Sequence, residues 1–235
     1  MTGKRRAVCW MATRNLYYRL LPGVTSLLTS NTVDAAYLII EDDDFPYTLP
    51  DVVRAVNVSK QAYFPIHGPN YHTKWTYMVM MRAALTKVLP DEDEVLCLDV
   101  DTIVRGNIGK LFDTDLSGYY LAGVREPEWS RIYNRLYVNM GVALFNLKKL
   151  REDGMDDRLI RALNTERFEF VEQDCINREC AGHILELPGE YNATRFTTKS
   201  GNPLIKHFAA IPNWHEEPEV MKWERYYLDN WDRNI

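Results

Sequence analysis

The apolar run Val95-Leu96-Cys97-Leu98 passes directly into Asp99-Val100-Asp101. Four consecutive apolar residues read as a short buried strand, the kind covered on both faces in a parallel sheet. Two carboxylates spaced i, i+2 on an extended backbone point to the same side. They also stand where a strand runs out, the edge at which open α/β sheets seat their ligands. Like charges so close repel, so a positive partner is expected between or beyond them. A hard divalent cation bridging to phosphate oxygens suits the place, because Mg²⁺ and Mn²⁺ take a few carboxylates with phosphate and water. The bland alternative is a solvated turn. The continuation Thr102-Ile103-Val104-Arg105, in place of a Gly/Ser-rich loop, favours the metal.

At 235 residues the chain reads as one large domain, residues 1–215, followed by an aromatic tail, residues 216–235. A hydrophobic share of 46% is enough for a full core. The net charge of -5 leaves no basic stripe to neutralise phosphates, so no nucleic acid is expected as a partner. No apolar stretch approaches the ~20 residues of a membrane span. Met1-Thr2-Gly3-Lys4-Arg5-Arg6 is basic, but Ala7 to Ala12 is too short for a secretory apolar region and reads as a first strand. Cys9 and Cys97 fall in strand-like runs as small core residues. Cys175 and Cys180 lack Cys-x-x-Cys spacing, so zinc is not expected and a reduced, cytoplasmic setting is.

Strands are predicted over Ala7–Thr13 and Ala35–Ile40, with a helix over Leu16–Ser30 broken by Pro22-Gly23 between them. The cluster Glu41-Asp42-Asp43-Asp44 reads as a solvated charge run. Phe45–Asn70 is irregular, with a short strand near Ala62–Phe64. Over Thr73–Leu89 the residues Trp75, Met78, Arg82, Leu85 and Leu89 recur at helical spacing on one face. Arg82 stands inside that apolar stripe, where a guanidinium needs a buried acidic partner or a phosphate. Further strands are expected at Tyr119–Val124, Gly141–Phe145, His183–Leu187 and Leu204–Phe208, and helices at Met155–Leu163 and Gln173–Cys180. Alternating strands and helices predict an α/β fold, a mostly parallel mixed central sheet flanked by helices.

Three more segments carry candidate chemistry. Tyr137-Val138-Asn139-Met140-Gly141 puts an amide and a glycine ahead of a buried strand, where backbone approaches a ligand closely. Glu172-Gln173-Asp174 sits at a helix start, where carboxylates suit the dipole and simple capping is the structural alternative. His207, at the end of a predicted strand, is by itself a core histidine; beside two aspartates it completes a metal site.

These blocks occur in a definite order: Leu98-Asp99-Val100-Asp101-Thr102, Asn139-Met140-Gly141-Val142-Ala143-Leu144-Phe145-Asn146, Glu172-Gln173-Asp174-Cys175-Ile176-Asn177 and His207-Phe208. Together they resemble the signature of the family 8 retaining glycosyltransferases, the family of glycogenin and the bacterial lipopolysaccharide galactosyltransferases, from about Ala7 to Trp214. The resemblance implies a GT-A fold, a UDP-linked sugar donor, a carbohydrate or glycoconjugate acceptor, and Mn²⁺, with Mg²⁺ as the alternative cofactor. It implies Asp99, Asp101 and His207 as metal ligands. Ala12, Thr13 and Tyr17 match the uridine-binding loop, Tyr17 stacking on the base, and Val100 falls within the donor motif. Arg82 matches a basic residue facing the donor, and Asn139 a donor-sugar contact. Glu126 matches an acidic sugar-binding position, and Glu172 with Gln173 the pair beside the anomeric carbon. After its histidine the family keeps a glycine and then Lys-Pro-Trp, the lysine reaching the diphosphate. Here the run is Phe208-Ala209-Ala210-Ile211-Pro212-Asn213-Trp214, so Arg82, Arg14 or Lys206 is left to compensate.

Gln173 is a neutral amide and a poor nucleophile, so same-face attack by the acceptor hydroxyl is the mechanism expected. Two rivals remain at this point. One is a sugar-nucleotide binder without turnover; the other is a haloacid-dehalogenase-type phosphatase, whose motif belongs near the N-terminus and not mid-chain. In the tail, acids outnumber Lys222, Arg225 and Arg233, which disfavours an anionic membrane and leaves packing or a homo-oligomer contact.

Overall fold

A computed structural model describes residues 4–232; Met1 to Gly3 of the basic start and Arg233 of the tail lie outside the described residues. The strands are β1 (Ala7–Ala12), β2 (Ala35–Ile40), β3 (Val53–Asn57), β4 (Glu94–Leu98), β5 (Thr102–Val104), β6 (Leu121–Arg125), β7 (Val138–Asn146), β8 (Ile184–Leu187) and β9 (Ile205–His207). The α-helices are α1 (Tyr17–Ser30), α2 (Leu85–Val88), α3 (Gly109–Phe112), α4 (Pro127–Ile132), α5 (Leu147–Glu152), α6 (Met155–Thr165), α7 (Glu172–Glu179) and α8 (Pro218–Asn230). Seven strands form one sheet in the order β3-β2-β1-β4-β7-β6-β8, and β5 pairs with β9 in a separate ribbon. Only β7 runs against the others: its pairings with β4 and β6 are antiparallel, and the remaining pairings in the sheet are parallel.

Both faces of the sheet are covered, which is why β1, β2 and β4 read as unbroken apolar runs. Cys9, Tyr37, Cys97 and Phe145 face a core shared with α5, α6, α7 and Met81. Trp10, Leu38, Leu96 and Leu144 face a second core filled by Leu20, Val24 and Leu27 of α1. A small third cluster, Ile103, Phe208 and Val220, joins the β5–β9 ribbon to α8.

Several expectations are corrected. Pro22 does not break α1, although a proline removes one helical N–H. Residues 20–27 are buried throughout, and Gly23 lets the helix press on the start of β5, where an added Cβ would come 3.1 Å from the Thr102 carbonyl oxygen. The helix expected over Thr73–Leu89 starts at Tyr77 and winds as 3₁₀ through Ala84 before becoming α2. At three residues per turn Met78, Met81 and Ala84 share a face, and all are buried. Trp75 precedes the helix and is 41% exposed, so it does not belong to the apolar stripe. No strand forms at Ala62–Phe64; the sheet is extended instead by β3, whose half-polar sequence lacks a signal of its own and pairs because β2 offers it an edge. Val100 and Asp101 lie in a turn, so the two aspartates are not spaced along a continuous extended strand. β9 is not a strand of the main sheet, as the sequence led us to expect; it is held by β5 alone among the strands.

The aromatic segment beyond Trp214 is mainly α8, which packs on α1. Tyr18 donates a hydrogen bond to Glu224, and Arg105 is paired with Glu219.

Candidate active site

Topology brings the separated blocks to one edge. β4 ends at Leu98, so Asp99 and Asp101 fall at the carboxyl end of the parallel strands. Because β7 is antiparallel, its beginning lies at that same edge: Leu98 pairs with Val142, and the Asp99 N–H donates to the Gly141 carbonyl at 2.8 Å. β6 ends there too, placing Glu126 one residue beyond the Arg125–Val138 pair. The amino end of α7 docks against β7 through Gln173, whose Oε1 accepts from the Met140 N–H at 3.0 Å. The β5–β9 ribbon pairs Thr102 with His207 and so sets the imidazole beside Asp101.

His207 Nε2 lies 3.2 Å from Asp101 Oδ1 and 3.5 Å from Asp99 Oδ2. One ligand atom from each of the three residues falls within 4.8 Å of the others. Burial pushes the imidazole down, but Asp101 and then Asp99 outweigh it and the net shift is upward. His207 in turn holds Asp101 below the usual carboxylate range against its own burial. Two carboxylate oxygens and one imidazole nitrogen suit a divalent first-row cation such as Mn²⁺. The second imidazole nitrogen is already engaged: Nδ1 lies 2.9 Å from Asn192 Oδ1, which leaves Nε2 for the carboxylate side.

Arg82 is buried between two acids, donating through Nη2 to Asp99 and through Nη1 to Glu172. Burial pushes the Glu172 carboxyl up, and Arg82 only partly offsets this. The triplet at the start of α7 therefore divides its labour. Asp174 is structural, accepting from the Phe170 N–H at 2.9 Å and the Tyr137 hydroxyl at 2.6 Å, whereas Glu172 turns to Arg82. Ahead of them, Val171 adopts φ 47°, ψ −117°, a conformation that β-branched residues rarely take.

A buried amide chain runs across the floor. Asn192 Nδ2 donates to Asn139 Oδ1 at 2.9 Å, Asn139 Nδ2 donates to Glu126 Oε1 at 2.5 Å, and the Gly141 N–H also donates to Asn139 Oδ1 at 3.0 Å. Burial raises the Glu126 carboxyl, with the Asn139 hydrogen bond opposing.

Arg82, Asp99, Asp101, Glu126, Asn139, Glu172, Gln173 and His207 all line one cleft of about 460 Å³. Ala12, Thr13, Tyr17 and Val100 do not line it. Ala12 ends β1, beside the turn after β4, and Thr13 Oγ1 donates to Asn15 Oδ1 at 2.7 Å. The Tyr17 ring is buried 5.4 Å from Phe45, and its hydroxyl accepts from the Glu41 N–H. Val100 is half-buried against the second core. Of the cations considered as substitutes for the family lysine, Arg82 lines the cleft. Arg14 is paired with Asp42 and Asp44 of the acidic cluster, and Lys206 lies over Phe208.

Sequence reasoning missed Asn192 and the outer wall. Asn192 carries no motif spacing, only its complete burial. The wall is formed by Trp75, Trp129, Phe170 and Phe196, with Lys74 over the Trp75 and Phe170 rings. Ala210, three residues after His207, has φ 55°, the left-handed region that glycine adopts freely.

The family model described as "Glycosyl transferase family 8" matches residues 47–211. Glycosyltransferase GlyA of Streptococcus pneumoniae is 31% identical over 124 residues, 52% of this chain and 18% of that protein. The lipopolysaccharide 1,2-glucosyltransferase of Escherichia coli is 32% identical over 120 residues, 46% of this chain and 35% of that one. The chain spans about half or less of the length of the curated relatives it matches. Among solved structures, galactosyltransferase LgtC in complex with donor and acceptor sugar analogs superposes with a TM-score of 0.69 at 20% identity, covering 94% of each chain. Streptococcus pneumoniae GlyE gives 0.70 at 20% identity, covering 96% of this chain and 61% of that one. The architecture is the GT-A fold of these structures, and the phosphatase alternative is not favoured. Among the described residues no helix is long and apolar enough to cross a membrane.

Proposed function

The chain belongs to glycosyl transferase family 8, and from that premise we propose that it moves a hexose, glucose or galactose, from a UDP-linked donor to a saccharide hydroxyl with retention of configuration. The observation that carries this reading is the convergence of Asp99, Asp101 and His207 with Glu126, Glu172 and Gln173 in one cleft. The three ligand residues would hold Mn²⁺, with Mg²⁺ as the alternative, and the bound ion would supply Lewis-acid neutralisation of the departing diphosphate.

The residues of the chain do the rest. Breaking the anomeric C–O bond leaves positive charge on the sugar, and the carboxylates of Glu172 and Glu126, which line the cleft, would stabilise it electrostatically. Gln173 is held at both ends of its amide, by the Met140 N–H and, through Nε2, by the Tyr137 hydroxyl at 3.2 Å. It therefore orients the cleft and does not attack. The acceptor hydroxyl forms the new bond from the face the diphosphate leaves, and its proton passes to a departing phosphate oxygen. Aromatic side chains along the outer wall favour a sugar acceptor, whose C–H faces pack on rings.

Calorimetric titration of UDP with and without Mn²⁺ tests the donor site. Metal-dependent binding that disappears in Asp101→Asn supports it, and binding indifferent to metal and to that substitution refutes it. With a donor in hand, an inverted anomer in the product would overturn retention.

A further inference from the structure

We propose that Asn192 is a positioning residue that ties the metal-side imidazole of His207 to the sugar-side carboxylate of Glu126, with a polarity set by one backbone donor. The proposal rests on the reading of the cleft as a nucleotide-sugar site.

The argument starts at Gly141, whose backbone N–H can only donate. It donates to Asn139 at 3.0 Å, so the Asn139 atom there is the carbonyl oxygen. The Asn139 nitrogen then faces Glu126 Oε1 at 2.5 Å, where a carboxylate accepts. The remaining lone pair of Asn139 Oδ1 is met at 2.9 Å by Asn192, which must present its nitrogen. Asn192 is thereby left with its oxygen toward His207 Nδ1, 2.9 Å away, so Nδ1 carries the hydrogen. Nε2 faces Asp99 and Asp101. Reversing any one amide would set donor against donor or acceptor against acceptor among groups that are all buried.

Two consequences follow for the cleft. The tautomer that makes His207 a ligand through Nε2 is dictated from β7, three hydrogen bonds away. Both lone pairs of Asn139 Oδ1 are committed internally, so Asn139 has only its second N–H to offer a sugar. Asn192 is the direct bridge between the imidazole and the amide chain: among the described residues it alone touches both His207 and Asn139 by hydrogen bonds.

Two variants separate the halves. Asn192→Asp keeps an oxygen for His207 Nδ1 but cannot donate to Asn139; Asn192→Ala loses both contacts. Calorimetry with Mn²⁺ alone, then with UDP, UDP-glucose and UDP-galactose in Mn²⁺, reads each half. In Asn192→Ala the affinity for Mn²⁺ is expected to fall about tenfold or more, the scale of a lost partner behind a ligating histidine. In Asn192→Asp the affinity for Mn²⁺ should stay near wild type while the ratio of UDP-hexose to UDP affinity falls about tenfold, the worth of one hydrogen bond. Unchanged Mn²⁺ affinity in Asn192→Ala, or an unchanged ratio in Asn192→Asp, overturns the proposal. A purely structural role would lower both readouts together in Asn192→Asp, which also counts against it. If wild type binds Mn²⁺ but no UDP, the donor-site reading fails while the Mn²⁺ arm still judges the link. If Asn192→Ala does not fold, nitrogen NMR of wild-type His207 in its neutral form decides: hydrogen on Nδ1 supports the polarity, and hydrogen on Nε2 refutes it.

Discussion

The imidazole of His207 occupies the space where a side chain on residue 141 would stand: a Cβ built on Gly141 would fall 2.0 Å from His207 Cε1 and 2.5 Å from Nδ1. The glycine in Asn139-Met140-Gly141 is therefore a requirement of the histidine that arrives from β9, 66 residues later in the chain. Gly141→Ala should push the ring off the two aspartates. We expect at least a tenfold loss of Mn²⁺ affinity in calorimetry, with about 1–3 kcal/mol lost in urea unfolding from overpacking. Wild-type metal affinity in Gly141→Ala would show that the ring has another place to go.

Arg82 pairs with two acids at once, so Arg82→Gln leaves the buried Glu172 and the half-buried Asp99 without their shared cation. The expected cost is about 3–5 kcal/mol in urea unfolding. The pH dependence has a definite sign. Burial already raises the Glu172 carboxyl above 4.5, with Arg82 opposing, and removing Arg82 raises it further. An acid with a raised folded value favours the folded state most when protonated, and that contribution is lost as pH rises through the folded value. The deficit of Arg82→Gln relative to wild type should therefore be smaller at about pH 5 than at about pH 7.5. An equal deficit at both would mean that Arg82 does not neutralise Glu172.

Val171 holds a left-handed conformation immediately before Glu172, and the Gln173 N–H closes the turn onto the Phe170 carbonyl at 3.0 Å. Ordinarily glycine is less stable than alanine in a buried element. Here Val171→Ala loses apolar contact and keeps the strain, whereas Val171→Gly loses the contact and relieves it. Thermal unfolding should rank Val171→Gly above Val171→Ala by about 1 kcal/mol. The reverse order would show that the turn is unstrained.

Trp129 lines the cleft, with its ring 5.1 Å from Phe170 and 5.8 Å from Tyr133. Trp129→Ala should leave Mn²⁺-dependent UDP binding within about twofold and raise the acceptor KM about tenfold, the worth of one ring contact. A matching loss of UDP affinity would place the ring on the donor side.

Much of this molecule was readable residue by residue. β1, β2 and β4 announced themselves because both faces of the sheet are covered there, so each became an apolar run. Asp99 and Asp101 were conspicuous as charges at the end of such a run, and Arg82 as a charge inside an apolar stripe. β3 was hidden because its pairing comes from its neighbour's edge and not from its own side chains. The 3₁₀ winding of Tyr77–Ala84 was hidden because Met78, Val79, Met80, Met81, Ala83 and Ala84 leave the segment apolar almost throughout, so it satisfies a three-fold and a 3.6-fold period alike.

The sequence by itself determined the layers, the order of the signature blocks and the chemistry each block could contribute, since these depend on local periodicity and on the charge of single side chains. Tertiary structure alone decided that β7 runs backwards and returns Asn139 and Gly141 to the edge where Asp99 emerges. It also decided that a ribbon outside the main sheet delivers His207, and that Asn192, a residue with no motif to mark it, orients the histidine. Hydrogen-bond direction and steric exclusion are relations between residues distant along the chain, and no local pattern of composition encodes them.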